Sequence, residues 1–172
     1  PLLLDVNQSE ELVISYNFED TSYVYQGNVI VDTLIADDSL LYKDFYLLKV
    51  DASGQKIIDN SFGGTHCDIV SDIEFDINDN LYVIGSYCQD SINLDFYNNN
   101  NSLPYTSTDN CFIVKYDDNM NIDWADHYSA ASGSAFPLGV ETDFNGHLYA
   151  AWRAISDSLE YNPSLTPFYE VL

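Results

Sequence analysis

Positive charge is nearly missing from this chain. Five lysines and arginines stand against twenty-eight aspartates and glutamates in 172 residues, a formal net charge of −23. Such a surface repels phosphate backbones and anionic headgroups, so nucleic acid and membrane surfaces are excluded as natural partners. Long apolar runs are also absent. None approaches the roughly 20 residues of a membrane span, and the opening PLLLDV lacks the basic flank and length of a signal peptide. No direct membrane insertion is expected. With no initiator methionine, the chain reads as a piece of a longer polypeptide. Cysteine is scarce, at three residues with no Cys-x-x-Cys pair, so no metal centre is expected. No nucleophile elbow, HExxH or phosphate loop appears, so no catalytic residues are assigned. No window has helical periodicity.

Enough apolar material is present for one folded domain. The chain is 46% hydrophobic and 15% aromatic, with fourteen tyrosines. Its order is repetitive. FYLLKVDASGQKII from Phe45 returns as CFIVKYDDNMNIDW from Cys111, with Lys49 and Lys115 spaced by 66. LLLDVNQSEELVISY, IEFDINDNLYVIGSY and VETDFNGHLYAAW form a second set. Their anchors Asp5-Val6-Asn7, Asp76-Ile77-Asn78 and Asp143-Phe144-Asn145 are 71 and 67 residues apart. A near-constant period marks a repeat architecture. Approximate units are 1–64, 65–131 and an incomplete 132–172, within a single domain.

Each anchor lies between runs rich in Val, Ile, Tyr and Phe, as strands do. Asn145-Gly146 is a hairpin signal because both residues tolerate positive φ. One unit therefore reads as strand A, turn, strand B, long loop, strand C, turn, strand D. In the middle unit these fall near 69–76, 80–88, 111–117 and 121–128, and the whole chain should hold about ten strands. Asp5, Asp51, Asp76, Asp79, Asp117, Asp118, Asp123 and Asp143 are assigned to the turns, where Asp and Asn cap their own backbone. DINDN is partly like a calcium loop, yet no late bidentate Glu follows, so calcium is a minor alternative and no cofactor is required. Consecutive apolar residues in LYVI, FYLLKV and CFIV suit strands covered on both faces. The expected fold is all-β: four-stranded antiparallel sheets of the kind found in propeller blades, about two and a half repeats of a larger propeller or open arc.

FGG at 62–64, DINDNLYVIGSY at 76–87, INLDFYNN at 92–99 and CFIVKYDDNMNIDW at 111–124 resemble the bacterial β-propeller repeat family (SBBP-type repeats) of secreted and cell-surface proteins in Bacteroidetes. The resemblance covers nearly the whole chain. Gly54 matches the family's second-turn glycine, where Met120 stands in the middle unit. Trp124 matches its tryptophan, where Ile58 stands in the first unit. The resemblance implies a rigid extracellular architecture and carries no particular activity.

Candidate sites follow from the strand order. The long B–C loops, near 19–43, 89–109 and from 155 onward, share one face, and long loops on rigid scaffolds are where binding concentrates. Asp95, Phe96, Tyr97, Tyr105 and Tyr161 are the binding candidates, aromatic and acidic groups suited to surface glycans or other protein chains. The Asn98–Asn101 run between them is read as a spacer. Cys67, Cys88 and Cys111 fall on one edge of the middle unit. A Cys88–Cys111 disulfide is expected, with Cys67–Cys88 as the alternative. Lys49 and Lys115 should pair with carboxylates and hold their sheets in register. Glu74 and Glu141 sit at related positions on A strands, the one hint of paired carboxylates. Together these features suggest a non-catalytic scaffold or binding segment of a large secreted or cell-surface protein, acting in adhesion or assembly with other chains or the remaining blades. The alternative is part of a carbohydrate-active enzyme or a sugar-binding module.

Overall fold

The computed structural model describes residues 2–26, 29–35, 43–64, 66–88, 90–97, 102–105, 110–130, 134–155 and 159–161. The chain is all-β. Strands β1 (Leu2–Val6) and β2 (Leu12–Glu19) lead to a hairpin of β3 (Thr21–Gln26) and β4 (Val29–Ile35), then to β5 (Lys43–Val50) and β6 (Lys56–Phe62). The order returns in β7 (Asp68–Phe75) and β8 (Leu81–Tyr87), a short hairpin β9 (Ile92–Asn93) and β10 (Ser102–Leu103), then β11 (Asn110–Tyr116) and β12 (Ile122–Ala130). Three more strands follow, β13 (Ser134–Thr142), β14 (Leu148–Ile155) and β15 (Leu159–Tyr161). Fifteen strands are thus seen among the described residues, against about ten expected. The surplus comes chiefly from the B–C segments, which form hairpins of their own.

The first sheet has the order β1-β2-β5-β6 and the second β15-β12-β11-β8-β7, every neighbour antiparallel. β13 and β14 form a third, two-stranded sheet. Within the described residues the sheets close into neither a barrel nor a ring. The repeat survives in the coordinates: β5 to β8 recur as β11 to β14, each start displaced by 66 or 67 residues. Register breaks recur with it, at Lys49/Val50 and Lys115/Tyr116, and again at Val70/Asp72 and Pro137/Gly139. Pro137 sits at such a bulge, where a missing N–H costs little.

Five tight turns share one construction. Asn7, Asp51, Asp76, Asp117 and Asp143 each begin a turn whose N–H bonds the carbonyl four residues on, while their carbonyl accepts an N–H from three residues on. In each, a side-chain oxygen of the first residue also accepts the N–H four residues on, at 2.8–3.0 Å. The fourth residue is left-handed throughout: Glu10, Gly54, Asp79, Met120 and Gly146, with φ of 60° to 79°. This corrects the reading of Asp5. The turn residue equivalent to Asp76 and Asp143 is Asn7, and Asp5 lies two residues earlier within β1. Asp123 likewise belongs to β12 and not to a turn.

The second sheet is packed on both faces, which explains its unbroken apolar runs. Its front face, with Ile73, Phe75, Val83, Phe112 and Val114, meets Val13, Phe45, Leu47 and Phe62 of the first sheet. Phe45 stacks on Phe112 with ring centroids 5.8 Å apart. Its back face, with Tyr82, Ile84, Cys111, Ile113 and Tyr128, meets Ala135 and Val140 of β13, flanked by Leu148 and Trp152 of β14. Full burial of a side chain such as Phe112 is worth about 2–3 kcal/mol. Gly85 makes this possible, since a Cβ there would collide with the Ile69 carbonyl and the Phe112 ring. Among the described residues no helix is long and apolar enough to cross a membrane.

Candidate functional site

The B–C segments pack onto the front faces of their own sheets. β3–β4 lays Leu34 and Val24 against Phe18, Tyr46 and Leu48. β9–β10 drives Ile92, Leu94 and Leu103 into the core between the first two sheets. Two tyrosines anchor this second hairpin. The Tyr116 hydroxyl donates to the Leu94 carbonyl at 2.6 Å, and the Tyr87 hydroxyl donates to the Pro104 carbonyl at 2.8 Å. Both phenols lie above their usual pKa because burial disfavours the phenolate.

This packing divides the binding candidates. Asp95 is buried, and its carboxylate accepts the Tyr97 N–H at 2.7 Å, shaping the bend after β9. Phe96 presents its edge to Phe62 and Tyr116, at centroid distances of 5.1 and 5.4 Å. Both residues stitch the hairpin down. Tyr97 and Tyr105 are the exposed members of the set, and the Tyr97 hydroxyl donates to the Asn119 carbonyl at 2.7 Å. The run 98–101 lies outside the described residues. Tyr161 lies in β15, opposite Tyr128, so the segment after β14 adds a fifth strand to the second sheet.

The three cysteines carry reduced thiols. Register explains the spacing: Cys111 faces Ser86 on β8, which leaves Cys88 on the diagonal two residues further. Diagonal cross-strand neighbours are about 7–8 Å apart, too far for a disulfide. Cys88 instead donates its S–H to the Cys67 carbonyl at 3.0 Å.

The residues that join one sheet to the next were only partly visible in the sequence. Lys49 is 2% exposed, and its ammonium reaches Glu11 Oε2 at 2.7 Å, Asp118 Oδ1 at 2.9 Å and the Asp118 carbonyl at 2.6 Å. Burial works to lower its pKa, yet hydrogen bonds to Asp118 and Glu11 outweigh it and the net direction is upward. Lys115, its counterpart, pairs with Asp123 Oδ2 at 3.1 Å and lies 5.8 Å from the Tyr82 ring centre.

A second junction runs along the A strands. Counted from the shared turn, Asp5, Glu74 and Glu141 occupy the same position of β1, β7 and β13. Asp5 Oδ2 accepts the backbone N–H of Phe75 at 2.7 Å. Glu74 in turn accepts the backbone N–H of Thr142, the residue equivalent to Phe75. Glu141 is exposed at the end of this row. Burial, followed by repulsion from Asp5 and Glu141, raises the Glu74 pKa to about 7, against a smaller downward pull from the Thr142 N–H. A cavity of about 350 Å³ opens here, lined by Glu74 with Asn7, Asp143 and the exposed Ile77 and Phe144. A neighbouring one of about 430 Å³ is lined by Asp72, Leu138, Glu141 and Tyr149. Neither holds a group of three His, Cys, Asp or Glu side chains arranged for a metal among the described residues. Glu74 and Glu141 were recognisable from their repeat positions, whereas Asp5 was hidden by its misplacement in a turn.

No protein-family model matches this chain, and no curated protein does so.

Proposed function

We propose that the chain is a non-catalytic scaffold and binding segment of a larger secreted or cell-surface bacterial protein, its sheets being blades of a β-propeller or open arc, acting in adhesion or extracellular assembly. The supporting observation is the periodic junction between sheets. The same carboxylate-to-amide bond links β1 to β7 and β7 to β13, and the same turn chemistry recurs five times. Rigid stacking of this kind suits a frame that holds other surfaces in place. The exposed Tyr97 and Tyr105 beside the β9–β10 hairpin supply aromatic faces of the sort that stack on sugars or on a protein partner. The acidic surface accords with an extracellular setting and disfavours nucleic acid.

The test is binding of the chain to immobilised polysaccharides and to other surface proteins of its source, with and without Tyr97→Ala and Tyr105→Ala. The expected result is an unchanged melting temperature with at least tenfold weaker binding, about 1.4 kcal/mol. Equal binding by the double variant would refute the assignment of this face.

A second reading has one observation in its favour. Glu74, with a pKa near 7 beside a cavity, has the protonation behaviour of a general acid. On that reading the chain contributes to a carbohydrate-active enzyme or a sugar-binding module. Glycosidase turnover lost on Glu74→Gln would favour it over the scaffold.

A further inference from the structure

The two ends of the sheet stack display the two halves of an interface that the molecule already makes internally. On the first sheet, the face turned away from the core exposes Leu2, Leu4, Val6 and Tyr16. Counted from the shared turn, Leu4 and Val6 stand where Ile73 and Phe75 stand on the second sheet, and those two are buried against the first sheet. At the other end, the outer face of β13–β14 exposes Phe136, Leu138 and Tyr149. Tyr149 stands where Tyr82 stands, and Tyr82 is buried against β13–β14. One end is therefore a front face without a preceding sheet, and the other a back face without a following one.

The polar junction is interrupted at the same two places. Glu141 has the position from which Asp5 and Glu74 each grip the next A strand. Val6 has the position whose N–H is gripped in Phe75 and Thr142. Here the Val6 N–H is held by its own Asp5 Oδ1 at 2.8 Å. The β3–β4 hairpin does not obstruct stacking. It covers only the Phe18 and Tyr46 part of the front face, and the corresponding β9–β10 hairpin is accommodated within the packed interface of the second sheet.

We infer that the chain associates head-to-tail with a second copy of itself, the front face of the first sheet of one copy covering the back face of β13–β14 of the other, with Glu141 of one gripping the Val6 N–H of the next. This rests on the equivalence of the sheets as blades and names the partner that continues the stack. A contact between two different faces is heterologous, so copies add in one direction, into a ring or an open array. Each copy carries −23 charges, so repulsion opposes association and added salt strengthens it.

The experiment is sedimentation of the chain over a concentration series, with Leu4→Asp on one face and Leu138→Asp on the other. Both side chains are exposed, so neither change touches the core. The expected result is concentration-dependent association of the parent chain, enhanced by salt, and monomers for each variant alone. Mixing the two variants should restore a one-to-one dimer, because one intact front face and one intact back face remain. A folded parent chain that stays monomeric at its highest soluble concentration overturns the association and leaves the blade reading standing. Association of either variant alone, or none in the mixture, also overturns it. The blade reading fails separately, if experimental coordinates show β5–β8 and β11–β14 with different pairings.

Discussion

The Lys49 ammonium lies 2.6 Å from the Asp118 carbonyl and 2.9 Å from the Asp118 carboxylate, clamping β5 of the first sheet to the β11–β12 turn of the second. Glu11, from the β1–β2 turn, closes the site from the other side at 2.7 Å. Lys115 has the same place in the second sheet, yet its one ionic partner, Asp123, is about half exposed.

Burial therefore separates two lysines that the repeat makes equivalent. Lys49→Met strands Glu11 and Asp118 at a dry junction and should cost about 2–4 kcal/mol. Lys115→Met loses a screened pair and should cost about 1 kcal/mol or less. Urea denaturation of the two variants measures both. Equal losses would show that the Lys49 clamp has no special role.

The left-handed turn position supplies a second contrast. Glu10 and Met120 both hold φ near 60°, where a glycine is relaxed. Glu10 is exposed, so Glu10→Gly should leave stability unchanged or raise it by up to about 1 kcal/mol. Met120 is 1% exposed and packs in the core between the first and second sheets. Removing its side chain costs about 2–4 kcal/mol, more than the strain relieved, so Met120→Gly should destabilise. Thermal melts of the two variants should move in different directions or differ by several degrees. A stabilised Met120→Gly would contradict the packing assigned to that side chain.

Stability should fall as pH rises through neutrality. Glu74 is raised from 4.5 to about 7 by burial and then by its carboxylate neighbours. Asp68 is raised from 3.8 to about 8 by burial and then by Asp44. For an acid whose folded pKa lies above the unfolded one, the folded state binds the proton more tightly. The stability this provides is present below the unfolded pKa and is lost as pH climbs to the folded one. The window is roughly pH 4 to 8 for the pair. Glu74→Gln should remove part of that slope and stabilise the chain near pH 8 by about 1 kcal/mol after allowance for solvent screening. Denaturation midpoints across the window check this. An identical pH slope in Glu74→Gln and Asp68→Asn would refute it.

The sequence by itself determined the local structure. Each turn is written in a first Asn or Asp and a left-handed fourth residue, and the interactions that make it span four residues, so they can be read without knowing the fold. Consecutive apolar runs announced strands covered twice, and the period of Lys49 and Lys115 announced repeated sheets. One element was misread because two acidic positions, Asp5 and Asn7, stand two apart and only the hydrogen bonds distinguish strand from turn.

Tertiary structure decided which residues are available. Asp95 and Phe96 look like loop groups ready for a ligand, yet the hydroxyls of Tyr87 and Tyr116 pull their hairpin down between two sheets. Cys88 and Cys111 lie at the correct ends of neighbouring strands, yet register leaves them on a diagonal. Glu74 differs from an ordinary surface glutamate only because Asp5 and Glu141, from strands on either side in the stack, come beside it. Burial, register and charge proximity are sums over residues some seventy apart, and no short stretch of chain contains them.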